Sequence, residues 1–489
     1  MASASSAADV IVVGCGAAGL SAAVAARQGG ARVIVLERSP EAERGGNTRY
    51  TGAWMRMQSE EQVSSDFMEH LIENAGSPLD PSLIHEASGE WQNWPGILRS
   101  MSFVDPEVVA TFADEAPPTI AWLKGFGLRF ARLEVPFMTS VQPRMAPTGG
   151  GLALIEALAA EFERLGGEIR YEVAAQGLLQ DEDGAVIGLR CIGKGNRPIE
   201  LRARSVVLGC GGFEGNAEMM TRYIGARSVH LGMMSRGCHY NKGEGIRMAL
   251  DIGAAPCGEY GNWHASPMDP RSSRAGASVY IYPYGILINR LGQRFTDEAP
   301  GPTDETYESV ARTINLQPGG IAYAVLDAVT SDLPNQNAVL RTEHGAIEAP
   351  SLAELAVKLK MPVDTFLATV EGYNAACRPG RFSALEVDGL GTTGLSPRKS
   401  NWARPIVSGP FKAYPIISSM VLTFGGLRVN PRAQVVNMQG DAIPGLYAAG
   451  ETMGLYYGNY TGATSVLKGL VFGRLAGIDA AQRLRGNEA

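Results

Sequence analysis

The sequence predicts an α/β protein in which a nucleotide-binding domain with a parallel sheet is interrupted by an inserted α+β domain. First, residues 9–37 follow the order strand, glycine-rich turn, helix, strand, which is the order of a parallel βαβ unit. Second, residues 443–484 return to a strand, a glycine-rich loop and a long helix. Third, residues 234–421 differ in character, because short strands and helices are mixed there. We therefore expect the two ends of the chain to form one discontinuous domain.

The length of the chain fits this division, because 489 residues are enough for two to four domains. We predict residues 1–233 to be the first part of a cofactor-binding domain with Rossmann-like topology. Residues 422–489 are predicted to be its second part. Residues 234–421 are predicted to form a domain that caps the bound cofactor and carries part of the substrate site.

The composition excludes several classes of protein. Hydrophobic residues make up 45% and charged residues 19% of the chain, as in ordinary globular proteins. The net charge of −7 and the pI of about 5.6 argue against nucleic-acid binding. There is no apolar run long enough to span a membrane, and the N-terminus lacks the basic start of a secretory signal. The six cysteines are scattered without a CxxC motif, so we expect no metal site, no disulfides and a cytoplasmic location.

The first βαβ unit carries a dinucleotide-binding fingerprint. The strand DVIVV is followed by Gly14, Gly16 and Gly19 in the spacing GxGxxG, and then by an Ala-rich helix. Gly14 permits the tight turn, Gly16 lets the backbone approach a pyrophosphate, and Gly19 lets the helix pack closely on the strand. The N-terminus of the helix offers unpaired N–H groups to the phosphates. The pattern therefore predicts a bound dinucleotide.

The residues that follow distinguish between dinucleotides. Glu37 ends the second strand, where a carboxylate accepts hydrogen bonds from a ribose that carries no 2′-phosphate. This acid favours FAD or NAD over NADP. A second glycine cluster, Arg44-Gly45-Gly46-Asn47-Thr48, follows closely and can contact a cofactor that lies extended across the sheet. Together these features favour FAD.

The rest of the chain is predicted more coarsely. We expect mostly helices in residues 60–130, a helix after Gly149, and a small β-meander over residues 168–211 that returns to the first sheet. Residues 278–298 are predicted as a hairpin, and residues 426–437 as a strand pair.

Motifs along nearly the whole chain resemble the flavoprotein-subunit family of fumarate reductase and succinate dehydrogenase. They are VVGCGAAGLSAA, RGGNTRYTG, VVLGCGGFEGN, YNKGEG, INRLGQRF, GLYAAGET and GATSVLKGLVFGRLAG. Within that family, YNAACRPGRF, GLSPRKSNWARPI, GPFKAYP and LTFGGLRV most resemble the FAD-dependent tricarballylate dehydrogenase branch.

The resemblance implies a Rossmann-like FAD-binding domain of the glutathione-reductase type, with a mobile α+β capping domain inserted. It also implies chemistry in which hydride passes between flavin N5 and a C–C bond beside a carbonyl, while a protein acid or base handles the other hydrogen. Some members hold FAD covalently through a His near the second glycine cluster. That position is Asn47 here, so we expect non-covalent FAD.

The residues that would contact FAD are carried over motif by motif. The resemblance assigns the pyrophosphate, adenosine and isoalloxazine contacts to the glycine clusters, the meander and the C-terminal loop. They are Gly14, Gly16, Ala18, Gly19, Glu37, Arg38, Gly45, Gly46, Asn47, Thr48, Val173, Gly211, Gly450, Glu451, Ser465 and Val466.

The substrate motifs depart from the fumarate reductase pattern. Leu422 stands where a carboxylate-binding His is expected, and Tyr460 stands where a substrate Arg is expected. The segment after INRLGQRFTDE contains no Arg before Arg312, and Ile417 or Ser418 replaces an Arg of the tricarballylate branch. Because each charge-assisted contact contributes about 1.5–3 kcal/mol, these losses argue against a di- or tricarboxylate substrate.

Tyrosines are abundant in the same segments, which resembles the scheme of ketone desaturases such as the 3-ketosteroid dehydrogenases. There one tyrosine acts as base while hydrogen-bond donors polarise the ketone. Tyr460 is the strongest candidate here, with Tyr457 and Tyr307 as further candidates.

Other polar side chains in these segments are further candidates. The resemblance implies a substrate-binding His just before the turn at Gly243, where His239 stands, and Arg236, three residues earlier, is a candidate to pair with a carboxylate. His264 is expected to be structural and Arg144 to be solvated.

The sequence therefore predicts an FAD-dependent dehydrogenase or desaturase acting on a CH–CH bond α,β to a carbonyl. A small cyclic ketone of the 4-oxocyclohexanecarboxylate type fits the missing arginines and the surplus of tyrosines. The alternatives are a tricarballylate- or fumarate-like polycarboxylate enzyme, a 3-ketosteroid dehydrogenase, or the flavoprotein subunit of an electron-transfer complex. The electron acceptor is left open.

Overall fold

The computed structural model describes residues 8–74, 105–133 and 144–485. It contains parallel and antiparallel strands from all parts of the chain. The strands up to the meander are β1 (Val10–Val13), β2 (Val33–Leu36), β3 (Met57–Ser59), β4 (Gln62–Val63), β5 (Phe130–Leu133), β6 (Arg144–Pro147), β7 (Glu168–Arg170), β8 (Ala174–Gln180), β9 (Val186–Gly193), β10 (Arg197–Arg202) and β11 (Ser205–Leu208). The later strands are β12 (Gly232–Met233), β13 (Pro256–Cys257), β14 (Trp263–Met268), β15 (Ile286–Asn289), β16 (Ile321–Leu326), β17 (Ile347–Ala349), β18 (Phe411–Thr423), β19 (Gly426–Leu427), β20 (Gln434–Val436) and β21 (Ala442–Ala448).

The helices lie between these strands and after the last of them. They are α1 (Ala17–Gln28), α2 (Phe67–Glu73), α3 (Pro106–Lys124), α4 (Gly150–Arg164), α5 (Ala217–Met219), α6 (Glu244–Leu250), α7 (Thr303–Asn315), α8 (Gln336–Val339), α9 (Leu352–Lys358), α10 (Val363–Ala376) and α11 (Ser465–Arg485).

The first sheet joins the two ends of the chain. Its six strands lie in the order β20-β21-β11-β1-β2-β7, and all neighbours except β20 and β21 run parallel. The central strands VIVV and VIVL are fully buried runs, as expected for a parallel sheet covered on both faces. The predicted α/β fold class, with a discontinuous Rossmann-like domain, is confirmed.

Helix α11 packs against α1 through glycines. A Cβ built on Gly473 would lie 2.3 Å from the carbonyl oxygen of Ala18, and one built on Gly477 would lie 2.2 Å from that of Ala22. Only glycine permits this approach, so the C-terminal helix lies directly on the helix that follows the first glycine cluster. The two halves of the cofactor-binding region are therefore joined by close backbone packing.

The meander forms as the sequence predicts. Strands β8, β9 and β10 make an antiparallel sheet, and β11 then returns to the first sheet beside β1.

The second sheet is built around the long strand β18, which pairs with β12, β14, β16 and β17. Strand β15 adds to it by pairing with β16. All of these strands lie between residues 232 and 423. Because β18 runs across the predicted boundary at residue 421, the exact domain limits stay a prediction.

The predicted hairpin over residues 278–298 is wrong. Strand β15 pairs with β16, and only an isolated bridge joins Ile288 to Arg294. The reason is a buried ion pair, because Arg294 bonds Glu298 at 2.6 Å. Glu298 also accepts the backbone N–H of Leu287 at 2.9 Å, and thus satisfies a donor that a hairpin partner would have used.

Other coarse predictions have mixed outcomes. The predicted helical region includes α2 and α3, but also the short strands β3 and β4, and residues 75–104 lie outside the described residues.

All six cysteines are described, and all are free. Across the three described ranges, no helix is both long and apolar enough to cross a membrane.

Candidate active site

One continuous cavity of about 840 Å³ connects the glycine-rich turn after β1 with the N-terminus of α11. This volume lies in the upper part of the range usual for ligand pockets. Both glycine clusters line one part of it, and a group of tyrosine, histidine and arginine side chains lines the other. The site therefore has a cofactor side and a substrate side.

The first glycine cluster is shaped for a ligand with phosphates. Gly14 has φ +103°, and a Cβ there would lie 2.4 Å from the carbonyl oxygen of Gly209. A Cβ on Gly19 would lie 1.9 Å from the carbonyl oxygen of Gly14, so Gly19 serves packing. At Gly16 the nearest described atom to such a Cβ is 3.7 Å away. Gly16 also begins α1 without a side-chain cap, which leaves the first N–H groups of the helix for an anion.

Glu37 is held in place for the same ligand. Its side chain is 7% exposed. One carboxylate oxygen accepts the N–H of Cys15 at 2.8 Å, and the other accepts the N–H of Ser39 at 2.7 Å. Each oxygen keeps a second lone pair, so Glu37 can still accept hydrogen bonds from ribose hydroxyls.

The second glycine cluster faces the cavity from the other side. Gly45 and Gly46 have φ +113° and +53°, and no described atom lies within 4 Å of a Cβ built on Gly46. Asn47 is fixed by three hydrogen bonds: it donates to Glu214 at 2.7 Å and to the carbonyl oxygen of Val421 at 3.3 Å, and it accepts the hydroxyl of Ser235 at 2.7 Å. Open space at two glycines, beside a fixed acid and an uncapped helix, fits an extended FAD.

The remaining predicted cofactor residues also surround this space. All of them except Gly19 line the cavity: Gly14, Gly16, Ala18, Glu37, Arg38, Gly45, Gly46, Asn47, Thr48, Val173, Gly211, Gly450, Glu451, Ser465 and Val466. Arg38 bonds Glu244 at 2.5 Å, across to α6. Their individual contacts to FAD stay a prediction.

On the substrate side, Tyr460 sits against the N-terminus of α11. Its phenol oxygen accepts the backbone N–H groups of Thr464 at 3.0 Å and Ser465 at 2.9 Å. The phenol donates its own hydrogen to Ser465 Oγ at 2.9 Å. Its ring stacks on His264, with centroids 4.2 Å apart.

His264 and Tyr307 form a hydrogen-bonded pair in the same cavity. His264 Nε2 and the Tyr307 hydroxyl are 2.8 Å apart. His264 Nδ1 is buried and has no hydrogen-bond partner among the described residues. Burial lowers the pKa of His264 to about 3, so the imidazole is neutral near pH 7. Burial, and after it the nearby Glu308, raises the pKa of Tyr307 well above its usual value.

Strand pairing explains how His264 reaches the site. Residue 264 lies opposite Leu422 in the β14–β18 pair, and a bulge follows between His264 and Ala265. Bulges redirect side chains at such positions. His264 thus lies beside the position where the resemblance led us to expect an imidazole, and it lines the cavity. Its role stays a prediction.

Two arginines also lie at this end of the cavity. Arg144 is 6% exposed, and burial lowers its pKa to about 10, which leaves it cationic at neutral pH. Arg56 is 3% exposed, pairs with Asp66, and donates to the carbonyl oxygen of Gly462 at 3.3 Å. The expectation that Arg144 is solvated is wrong, because β6 carries it into the interior.

Three other predicted catalytic residues lie elsewhere. His239 is exposed, and Arg236 is exposed and pairs with Glu43 at 3.5 Å. Neither lines the cavity, because the turn before α6 directs them outward. The Tyr457 hydroxyl accepts the N–H of Gly258 at 2.9 Å, so this tyrosine fixes the segment after β13.

Glu308 is a site residue that sequence reasoning missed. One of its oxygens accepts the N–H of Ala265 at 3.1 Å, and the other accepts the N–H of Tyr460 at 2.8 Å. It follows Tyr307 directly in α7 and pairs with Arg312 at 3.0 Å. Burial raises the pKa of Glu308 to about 7. A single carboxyl thus ties β14, α7 and the loop before α11 together.

Comparison with known proteins gives matches along nearly the whole chain. The family profile described as an FAD binding domain matches residues 9–467. An NADH:fumarate oxidoreductase of Klebsiella pneumoniae (strain 342) is 30% identical, and the match covers 98% of this chain and 48% of that protein. The chain thus spans about half the length of this relative. A 4-oxocyclohexanecarboxylate 2-dehydrogenase of Sinomonas cyclohexanicum is 26% identical over 98% of this chain and 93% of its own length.

Solved structures agree with the fold. The open conformation of a flavocytochrome c3 fumarate reductase superposes with a TM-score of 0.74 at 24% identity, and covers 97% of this chain and 78% of that chain. A 3-ketosteroid-Δ4-(5α)-dehydrogenase from Rhodococcus jostii RHA1 superposes with a TM-score of 0.67 at 25% identity, over 97% of both chains.

Proposed function

The chain belongs to the FAD binding domain family, among flavoproteins of the fumarate reductase type that act on CH–CH bonds, and on that premise we propose that it desaturates, or in reverse reduces, a C–C bond α,β to a carbonyl. The substrate class we propose is a small cyclic ketone that carries one carboxylate. The relative from Sinomonas cyclohexanicum, which is matched over almost its full length, supports this class. The electron acceptor is proposed to be a separate molecule.

One observation carries the proposal. Two phenols and a neutral imidazole, from Tyr460, Tyr307 and His264, meet at the end of the cavity where Arg144 lies. The phenols and the imidazole suit a ketone, because they can donate hydrogen bonds to its oxygen and move a proton at the neighbouring carbon. The guanidinium suits a single carboxylate.

Each residue has a separate role in the proposed reaction. When bound, FAD supplies the group that accepts or returns a hydride. Tyr460 turns its hydroxyl from Ser465 Oγ to the ketone oxygen, while the two N–H groups from the start of α11 remain on its own oxygen. This polarises the carbonyl and makes the α-hydrogen more acidic.

Tyr307 is proposed to handle that α-hydrogen. In the reducing direction its hydroxyl, kept protonated by its raised pKa, delivers a proton to the α-carbon. In the desaturating direction it must first be deprotonated, and His264 Nε2, 2.8 Å away, stabilises the phenolate by donating to it. Arg144 holds the carboxylate, and the buried walls keep water from the reacting carbon.

A second function has its own support. Arg144 and Arg56 place two buried guanidinium groups at the substrate side, and the exposed Arg341 also lines the cavity. Such a set suits an acid with two or more carboxylates. A reductase of fumarate-like or tricarballylate-like acids is therefore the second candidate. Against it stands the pairing of Arg56 with Asp66, which neutralises one of the two buried cations.

Anaerobic titration of the holoprotein distinguishes these functions. We expect 4-oxocyclohexanecarboxylate to bleach the visible flavin absorption, and tricarballylate and succinate to leave it unchanged. Tyr460→Phe should slow the bleaching by about 10²-fold, the usual cost of removing one hydrogen-bond donor to a developing oxyanion, without loss of bound FAD. Tyr457→Phe is the matched control, because that phenol lies outside the cavity. Bleaching by the polycarboxylates alone would assign the second function.

A further inference from the structure

Two carboxyl groups meet beneath the cofactor side of the cavity. Glu214 lies in the loop after β11, and Glu451 lies three residues after the end of β21. The side-chain amide of Asn241 touches both, because its nitrogen is 2.7 Å from Glu214 Oε1 and 3.4 Å from Glu451 Oε2. Glu214 is 2% exposed, whereas Glu451 lines the cavity. The buried Glu214 thus lies behind Glu451, which faces the cofactor side of the cavity.

The hydrogen bonds of Glu214 are divided unequally between its two oxygens. Oε1 accepts from the amides of both Asn47 and Asn241, each at 2.7 Å. Oε2 is buried and receives no hydrogen bond from any described residue. A buried carboxylate oxygen without a donor is costly. A proton on Oε2 removes that cost, because the neutral group can then donate to Glu451.

Glu451 is arranged as the acceptor of such a proton. Its Oε1 accepts both the N–H and the hydroxyl of Thr423, at 2.7 and 3.0 Å. Its Oε2 is the oxygen nearest to the Asn241 amide. Glu451 is therefore bonded as a carboxylate on one side and is open to a donor on the other.

The other charged and titratable groups that face the pair do not replace the shared proton. Lys468 approaches Glu451 from α11, but its ammonium donates to the carbonyl oxygen of Met453 at 2.8 Å. Burial lowers the pKa of Lys468 to about 8. The Cys238 thiol and the Tyr456 phenol also face the pair, and burial raises the pKa of each. Among the described residues that face the pair, Lys468 is thus one cation for two carboxyls.

The surroundings of Glu214 favour its protonated form. Burial, and after it the charge of Glu451, raises the pKa of Glu214 well above its usual value. Burial also raises the pKa of Glu451. Two like charges this close in the interior do not both ionise near neutral pH.

We propose that Glu214 and Glu451 hold one proton between them, and that neutral Glu214 is a positioning residue for the FAD side of the cavity. Through Oε1 it fixes Asn47, whose other side-chain atom accepts the Ser235 hydroxyl. Through Oε2 it fixes Glu451, which faces the cavity. Loss of the proton sets two carboxylates against each other and ends the donation from Glu214 to Glu451. This inference depends on FAD binding and is independent of the substrate.

Glu214→Gln tests the proposal, because glutamine copies the neutral acid. Its oxygen can accept from Asn47 and Asn241, and its NH₂ can donate to Glu451. Glu214→Ala removes both contacts. Glu218→Gln is the matched control, since Glu218 is a solvent-exposed glutamate on α5. All variants are purified with FAD and compared with the parent protein.

The first readout is the infrared difference spectrum between the parent holoprotein and each variant at pH 7.5, because subtraction cancels the bands of other protonated carboxyls such as Glu308. Parent minus Glu214→Gln should show the carbonyl stretch of a protonated carboxyl group, and parent minus Glu218→Gln should not. A parent minus Glu214→Gln spectrum without that band overturns the proposal.

The second readout is the FAD dissociation constant between pH 6 and pH 10. In the parent it should rise with pH, by up to about tenfold per unit once the shared proton is lost. Glu214→Gln should bind FAD within about threefold of the parent at pH 6.5 and lose that part of the pH dependence. Lys468 titrates in both proteins, so the difference between the curves isolates Glu214. Identical curves would overturn the proposal, whether or not Glu214→Ala folds.

Discussion

The rings of His264 and Tyr460 are stacked, with centroids 4.2 Å apart and planes inclined by 29°. Glu308 accounts for this arrangement, because its carboxyl accepts the N–H of Ala265 and the N–H of Tyr460 at the same time. The helix that carries Glu308 also carries Tyr307, which bonds His264. Side chains from three elements therefore form one unit, and a substrate meets them together.

Tyr307→Phe should slow substrate-dependent flavin reduction by about 10²-fold or more, because it removes the only hydroxyl bonded to His264 in the described structure. FAD binding should be unchanged. Rapid mixing under anaerobic conditions measures the rate, and Tyr457→Phe is the control. In the parent protein the desaturation rate should rise with pH, since the raised pKa keeps Tyr307 protonated at neutral pH. If flavin reduction in Tyr307→Phe is as fast as in the control, Tyr307 does not transfer the proton.

Arg144→Gln should weaken binding of 4-oxocyclohexanecarboxylate while leaving binding of cyclohexanone unchanged. The loss of one charge-assisted hydrogen bond is worth about 1.5–3 kcal/mol, or about 10- to 100-fold in the dissociation constant. Titration of both ligands against the oxidised holoprotein measures it. Arg236→Gln is the matched control, because the side chain of Arg236 is 72% exposed. Equal weakening of both ligands would contradict a carboxylate contact.

Burial of His264 should make the free energy of unfolding depend on pH. The unfolded chain binds a proton at this histidine near pH 6.5, whereas the folded protein resists protonation until about pH 3. The stabilisation is therefore complete above pH 6.5 and is lost as the pH falls toward 3, by up to about 1.4 kcal/mol per pH unit. Chemical denaturation of the parent and of His264→Gln between pH 4.5 and 7 should show a smaller slope for the variant. His239→Gln, changed at an exposed histidine, provides the comparison. Equal slopes in all three proteins would show that folding does not lower the pKa of His264.

The same substitution at two neighbouring glycines should give opposite outcomes. Gly16→Ala places a methyl group where the nearest described atom is 3.7 Å away. It should leave the melting temperature of the apoprotein unchanged and weaken FAD binding by about tenfold or more. Gly14→Ala should destabilise the apoprotein itself, because φ is +103° and the methyl group would lie 2.4 Å from Gly209. Thermal melts with and without FAD separate the two effects. Normal FAD affinity in Gly16→Ala would show that the pyrophosphate does not bind at this turn.

The cofactor side could be predicted from sequence because its signals are local. Gly14, Gly16 and Glu37 belong to one βαβ unit, so strand, turn and helix periodicity place them together without further information. The fold class followed from the same pattern at the other end of the chain.

The substrate side could not be predicted in the same way, because long-range pairing builds it. His264 reaches the cavity through the register of β14 on β18 and the bulge after it. His239, proposed because the family resemblance implies a substrate-binding His near this turn, is exposed. Arg144 was expected in solvent, but pairing of β6 with β5, and of Met145 with Met55, buries that strand. A polar residue inside the otherwise buried strand β14 was the available signal.

The position of β21 between β11 and β20 has a consequence for biosynthesis. On the ribosome, β1, β2 and β11 emerge long before β21, and the whole second sheet is made in between. Until then the nascent chain exposes the open edge of β11 and the face of α1 that α11 later covers, and such surfaces favour aggregation. The cofactor side is therefore complete only after the second sheet and residues 442–485 have been made.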